Sequence, residues 1–154
     1  MEIFYRYIDS PLGFLKLGAS KEALLSLEFA EAFEKPTNQQ TEILNLAESQ
    51  LVEYFQGDRK IFEIKICPEG TDFQKKIWKL VEKVPYGKTE SYLTIAKWSG
   101  AATNARAVGM ANGKNPIPII IPCHRIIGSS GKLTGYSGGV ERKKWLLKNE
   151  MKYS

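Results

Sequence analysis

Apolar positions along this chain of 154 residues change rhythm several times, and each change marks an element. Residues 3–8, rich in Ile, Phe and Tyr, predict a strand that stops at the turn Asp9-Ser10-Pro11-Leu12-Gly13. Residues 14–18 predict its hairpin partner. Residues 24–29 alternate at Leu25, Leu27 and Phe29 and predict a third strand. The polar stretch 31–40, with Pro36, predicts a loop. From Thr41 the period lengthens: Leu44, Ala47, Leu51 and Phe55 recur at helical spacing until Gly57. Alternation returns over 61–66 and predicts a further strand.

Pro68-Glu69-Gly70 breaks the pattern, and the chain beyond it is mostly helical. Thr71 or Asp72 caps a helix whose apolar stripe is Phe73, Ile77, Leu80, Val81 and Val84, with Lys75, Lys76, Lys79 and Lys83 elsewhere. Pro85-Tyr86-Gly87-Lys88 ends it. A short helix over 91–98, the break Ser99-Gly100, and a second short helix over 105–111 starting at Thr103 or Asn104 have helix-turn-helix spacing. They also suit packed helices of a small bundle. The second of the pair is made of Ala, Gly and Val with one arginine, a composition fit for a shallow minor groove rather than for reading bases in the major groove. A last helix over about 140–150 puts Lys143, Leu146, Leu147 and Glu150 on one face. Glu150 is then either buried with a partner or exposed on a frayed end. The expected class is α+β: a small antiparallel sheet with a helix (1–67), then a mostly helical domain with a helix-turn-helix (68–154).

Composition adds little until it is divided. The first 70 residues carry 7 Lys+Arg against 12 Asp+Glu, and the remaining residues 15 against 5, so the balance moves from −5 to +10. A polyanion facing the second half is one reading, and a solvated lysine-rich surface the other. No apolar run approaches the ~20 residues that span a bilayer, and a signal-peptide pattern is lacking. Two cysteines make neither a disulfide framework nor a zinc site, so no metal or cofactor is expected, and a cytoplasmic setting is. Cys67, just before Pro68, is expected to be inert.

The chemistry concentrates in Pro122-Cys123-His124-Arg125, which holds the only histidine. A thiol beside an imidazole can yield a thiolate near neutral pH, although a Cys-His pair alone is weak evidence. Pro122 suits the first position of a helical turn, which would put Cys123 at a helix N-terminus that favours negative charge.

Together these pieces resemble the O6-alkylguanine-DNA alkyltransferase family, the methylated-DNA–protein-cysteine methyltransferases. The residues that carry the resemblance are 115–128, from Asn115-Pro116 through Pro122-Cys123-His124-Arg125 to Gly128. Ser91-Tyr92, Ala105-Arg106-Ala107-Val108-Gly109, Gly135-Tyr136-Ser137-Gly138-Gly139 and Lys144-Trp145-Leu146-Leu147 with Glu150 agree in type and spacing. The match is dense over about 71–150, whereas the first half matches in element order only. The resemblance implies stoichiometric transfer of an alkyl group from O6 of guanine in double-stranded DNA to Cys123, with O4 of thymine left open as a second target. It implies that His124 takes the thiol proton through a water, that Glu150 orients the imidazole, and that Tyr92 donates a proton to N3 of the leaving base. Asn115 is then the hinge between recognition helix and cysteine turn. Arg106 is the finger that replaces a flipped base, with DNA contact also expected of Thr103, Ala105, Ala107, Gly109, Ala111 and Arg125. Tyr136, Ser137 and Ser129 are expected to line the base pocket. The implied partner is duplex DNA bound through its minor groove by a monomer. Two other readings stand beside it: a non-catalytic alkyltransferase-like damage sensor, and a Cys-His hydrolase that would need an oxyanion hole.

Overall fold

Strands β1 (Phe4–Ile8), β2 (Phe14–Ala19) and β3 (Leu24–Ala30) form an antiparallel sheet in the order β1-β2-β3. The computed structural model describes residues 2–32 and 41–154. Most of the expected loop at 31–40 therefore lies outside the described residues. Register follows the alternation: Ile8 faces Leu15 and Phe4 faces Ala19 across β1 and β2, which buries Leu15 and Leu17 on one face. Helix α1 (Glu42–Phe55) is capped by Thr41, whose hydroxyl accepts from the Leu44 amide. It buries Leu44, Ala47, Leu51 and Tyr54. Gly57, at φ +83°, supplies the left-handed residue that ends the helix.

The strand expected over 61–66 is absent. Only Ile66 bridges to Leu24, in parallel. Upstream of it, Gln50 on α1 holds the backbone of Glu63 from both sides, accepting from its N–H and donating to its C=O. Phe62 packs on Tyr54, with ring centroids 5.4 Å apart. The alternation is real, but it records one-sided packing of an extended segment fastened by a side chain.

Chain contacts divide the protein into two units, Met1–Glu69 and Gly70–Ser154. The second opens with α2 (Asp72–Val81), whose Thr71–Gln74 capping box satisfies amides reciprocally. Its buried face is Ile77, Trp78 and Val81. Trp78 was not in the expected stripe. Its indole N–H donates to the Ala111 carbonyl at 2.8 Å, which lets a ring with a polar edge lie fully inside. Two residues, β4 (Glu90–Ser91), pair in parallel with β5 (Ile126–Ile127). Helix α3 (Tyr92–Trp98) starts immediately after β4, capped by Ser91. A turn through Gly100 at φ +113° and a 3-10 turn (Ala102–Asn104) lead into α4 (Ala105–Gly113), completing a helix-turn-helix. Lys76 of α2 donates to the Ser99 carbonyl and holds the end of α3. Helix α5 (Val140–Tyr153) closes the chain. The α+β class, with a small antiparallel sheet and helix followed by a mostly helical region, agrees with the sequence expectation; β4 and β5 were not expected.

Candidate active site

The apolar run before the cysteine is wound into a loop by one side chain. Asn115 accepts from the Ile117 amide at 2.9 Å and donates to the Ile121 carbonyl at 2.8 Å. Within that clamp Ile119 takes φ +74°, a conformation costly for a β-branched residue. The loop delivers Cys123 into a 3-10 turn (Cys123–Arg125) directly before β5. Three residues carry almost no helix dipole, and the Cys123 amide is already given to the Ile121 carbonyl at 2.7 Å. The expected short helical turn does open at Cys123, but it is too short, and its first amide too committed, to favour negative charge at the thiol as expected. Cys123 is 1% exposed, and burial pushes its thiol up to about 11 against smaller opposing effects of Asn115 and Lys143. At rest the group is a thiol, and any reaction needs a base.

An imidazole, His124, is adjacent in sequence and held from behind. Glu150, on α5, accepts from His124 Nε2 at 2.7 Å, from Arg125 Nε at 2.9 Å and Nη2 at 3.0 Å, and from the Gly87 amide at 3.1 Å. Burial would raise its carboxyl, but the His124 and Arg125 bonds and charges outweigh burial and hold it well below the usual carboxylate range. Glu150 is therefore ionised and can only accept, so Nε2 of His124 carries the proton and Nδ1 is the lone-pair nitrogen. Burial lowers the imidazole pKa, with Glu150 opposing, so the ring is neutral near pH 7. Nδ1 is buried and has no hydrogen-bond partner among the described residues. A neutral thiol therefore sits next in sequence to a neutral imidazole whose basic nitrogen is uncommitted.

A phenol, Tyr92, is near enough to the thiol for Cys123 to act on its ionisation. The Tyr92 hydroxyl donates to the Thr134 carbonyl at 2.9 Å. Lys143 on α5 is fully buried, donates to the Ile126 and Thr134 carbonyls, and stands 5.8 Å from the Tyr92 ring centre. Burial lowers its ammonium pKa to about 8, opposed by Cys123. Gly135, at φ +69°, leaves room beside the phenol: a Cβ there would stand 3.2 Å from Oη.

Two family models match the chain. The DNA binding domain of 6-O-methylguanine DNA methyltransferase covers residues 72–152, and the ribonuclease-like domain of the same proteins covers 3–68. The methylated-DNA–protein-cysteine methyltransferase of Mycobacterium tuberculosis is 47% identical over 152 residues, 96% of this chain and 92% of that protein. The chain belongs to the methylated-DNA–protein-cysteine methyltransferase family. The protein of that name from Methanosarcina acetivorans is 43% identical, over 96% of this chain and 98% of the relative. The crystal structure of the M. tuberculosis O6-methylguanine methyltransferase superimposes with a TM-score of 0.89 at 44% identity, covering 99% of this chain and 95% of that one. M. tuberculosis OGT in complex with DNA gives 0.88 at 46% identity, covering 97% and 94%.

Within this methyltransferase the remaining expected residues fall into three groups. Thr103, Arg106 and Ala107 are exposed on or beside α4, and Ala105 and Gly109 are half-buried on it. Tyr136 is buried, whereas Ser137 and Ser129 are exposed, and no described hydrogen bond links either serine to Cys123. Ala111 and Arg125 are corrections. Ala111 is 3% exposed and its carbonyl holds Trp78. Arg125 is 6% exposed, clamped by Glu150 and by the Val84 carbonyl at 2.7 Å, so its charge is spent on the carboxylate rather than offered to DNA. Lys143 and Asn112 were missed as site residues. Lys143 shares the core face with Leu146 and Glu150, so its inward position was legible from spacing. Asn112 lies one turn after Val108, on the buried face of α4.

Proposed function

We propose that this protein repairs DNA by moving a methyl or larger alkyl group from O6 of guanine onto Sγ of Cys123, once per molecule. One observation carries the reading: a buried thiol followed by a neutral imidazole that is anchored at Nε2 by an ionised Glu150 and uncommitted at Nδ1. Nδ1 takes the thiol proton, directly or through a water, and the Glu150 carboxylate stabilises the resulting imidazolium against the opposing charge of Arg125. The thiolate attacks the alkyl carbon, so an S–C bond forms as the C–O6 bond breaks and its electron pair goes to the purine. Tyr92 donates its proton to N3 of that anion and is reprotonated from solvent, while the imidazolium returns its proton to solvent. The thioether left on Cys123 is not readily hydrolysed, so the protein is consumed.

Duplex DNA hides O6 in the stack, and extruding a base costs a few kcal/mol. We assign Arg106, exposed on the small-residue helix α4, to the space vacated by the flipped base in the minor groove, with the protein acting as a monomer. Lysines of the basic half attract phosphates without reading sequence. Titration of labelled O6-methylguanine duplex against protein tests the reading. Transfer should stop at one group per chain, and Cys123→Ser should take none while still binding duplex. Continued turnover would favour a hydrolase, and binding without transfer the damage-sensor reading.

A further inference from the structure

We propose that Met110 is an apolar wedge that α4 sets between base steps of the duplex, parting the stack beside the space that Arg106 fills. This rests on the transfer reading above. Helix α4 and its flanks carry two sets of side chains. Val108, Ala111 and Asn112 are buried. Thr103, Arg106, Ala107, Met110 and Lys114 are exposed. At 3.6 residues per turn the exposed set shares one face, with Arg106, Met110 and Lys114 in line at successive turns. Met110 is 67% exposed, with a cation one turn before it and another one turn after.

Single exposed apolar side chains are ordinary on a protein surface, so exposure alone assigns nothing. Placement does. The preceding residue, Gly109, borders the site: a Cβ there would stand 3.8 Å from the Tyr92 ring. Met110 therefore belongs to the turn of α4 that lies beside the phenol assigned to the leaving base. Charge identifies what meets this face. Residues 71–154 carry a balance of +10, and the line through Met110 is cationic at both ends, which suits a polyanion. Phosphates satisfy Arg106 and Lys114 type charges but offer a thioether nothing. Stacked bases, reached through a minor groove about 6 Å wide, offer apolar surface. Methionine is one of the side chains that part base steps from that groove, and its flexible thioether adapts to an irregular gap. Met110 stands about 6 Å along α4 from Arg106, so the two side chains reach neighbouring steps of the stack.

The test measures single-turnover transfer at saturating full-length protein, from O6-methylguanine in duplex and from free O6-benzylguanine. Met110→Ala should slow the duplex reaction at least about fivefold more than the free-base reaction. Met110→Leu keeps an apolar group and should retain most of the duplex rate. Met110→Lys adds phosphate attraction, so it should tighten binding without restoring the saturated rate. A direct readout comes from 2-aminopurine placed beside the lesion, bound by Cys123→Ser protein. Its fluorescence should rise as the step unstacks, and rise less when Met110→Ala is added. Equal slowing on both substrates, a full duplex rate in Met110→Ala, or a rate restored by lysine overturns the wedge. Self-association lost in Met110→Lys while the duplex rate is kept assigns the face to a second copy of the chain and also overturns it. Wild-type protein that takes no alkyl group from either substrate overturns the transfer reading and this inference with it. Wild-type transfer that no Met110 substitution alters overturns this inference alone.

Discussion

At the scale of single residues, Glu150 is the centre of the site. One carboxylate accepts from His124, Arg125 and Gly87, so it sets the imidazole tautomer and absorbs a guanidinium charge together. His124→Ala and Glu150→Gln should each slow transfer strongly, and the double variant should be little slower than the worse single one, because they form a single relay. Losses that add in log rate would argue for independent roles. Arg125 gives a sharper contrast. Arg125→Ala leaves a buried carboxylate partly unpaired and should cost about 3–5 kcal/mol of stability, with slower transfer from duplex and from free base alike. A residue that contacts DNA would instead lose duplex binding and spare the free base. The family resemblance pointed to Cys123, His124 and Glu150; on its own a Cys-His pair is weak evidence, and helical spacing left Glu150 either buried or exposed. It misassigned Arg125, since nothing in a Cys-His-Arg string tells whether the guanidinium turns outward or back onto a helix arriving 25 residues later.

Among the elements, α4 and the cysteine turn behave as one piece. Asn112 and Asn115, at the end of the helix and just beyond it, each hold a carbonyl of the segment 121–123. The helix pair was legible because Gly100 and the caps punctuate it. The strands β4 and β5 were not, since two residues each hold too little pattern to show a period. The extended segment 61–66 failed for the opposite reason: its alternation was clear, but Gln50 occupies hydrogen bonds a neighbouring strand would use. Arg106 allows a prediction that belongs to α4. Arg106→Ala should slow repair of duplex at least about tenfold more than reaction with free O6-benzylguanine, because only the duplex needs the vacated stack filled. A mismatch or abasic site opposite the lesion should recover part of the loss. Equal slowing on both substrates would make Arg106 a packing residue.

For the whole molecule, the buried ionisable cluster sets the pH limits of the fold. Glu150 is held below its unfolded pKa, so its contribution is present above about pH 4.3 and is lost as pH falls through its lower native value. His124 is also held below its unfolded value, so acid favours the unfolded chain through it as well, from about pH 6.5 downward. Chemical denaturation should therefore show stability falling from pH 7 to pH 4 through His124, and falling further below about pH 4.3 as the Glu150 contribution is lost, with only the second fall removed in Glu150→Gln. A flat profile over that range would mean the pair does not couple to folding. Alkylation acts on the same core: a thioether at Cys123, 1% exposed, needs space that a packed turn lacks, so benzylated protein should melt below the free form. A raised or unchanged melting temperature would refute that. The most direct test is peptide mass mapping of the protein before and after incubation with a duplex containing O6-methylguanine. One methyl group on the peptide that carries Cys123, at one per chain, is the expected result. A methyl group on Cys67, or released product with an unmodified protein, would contradict the account.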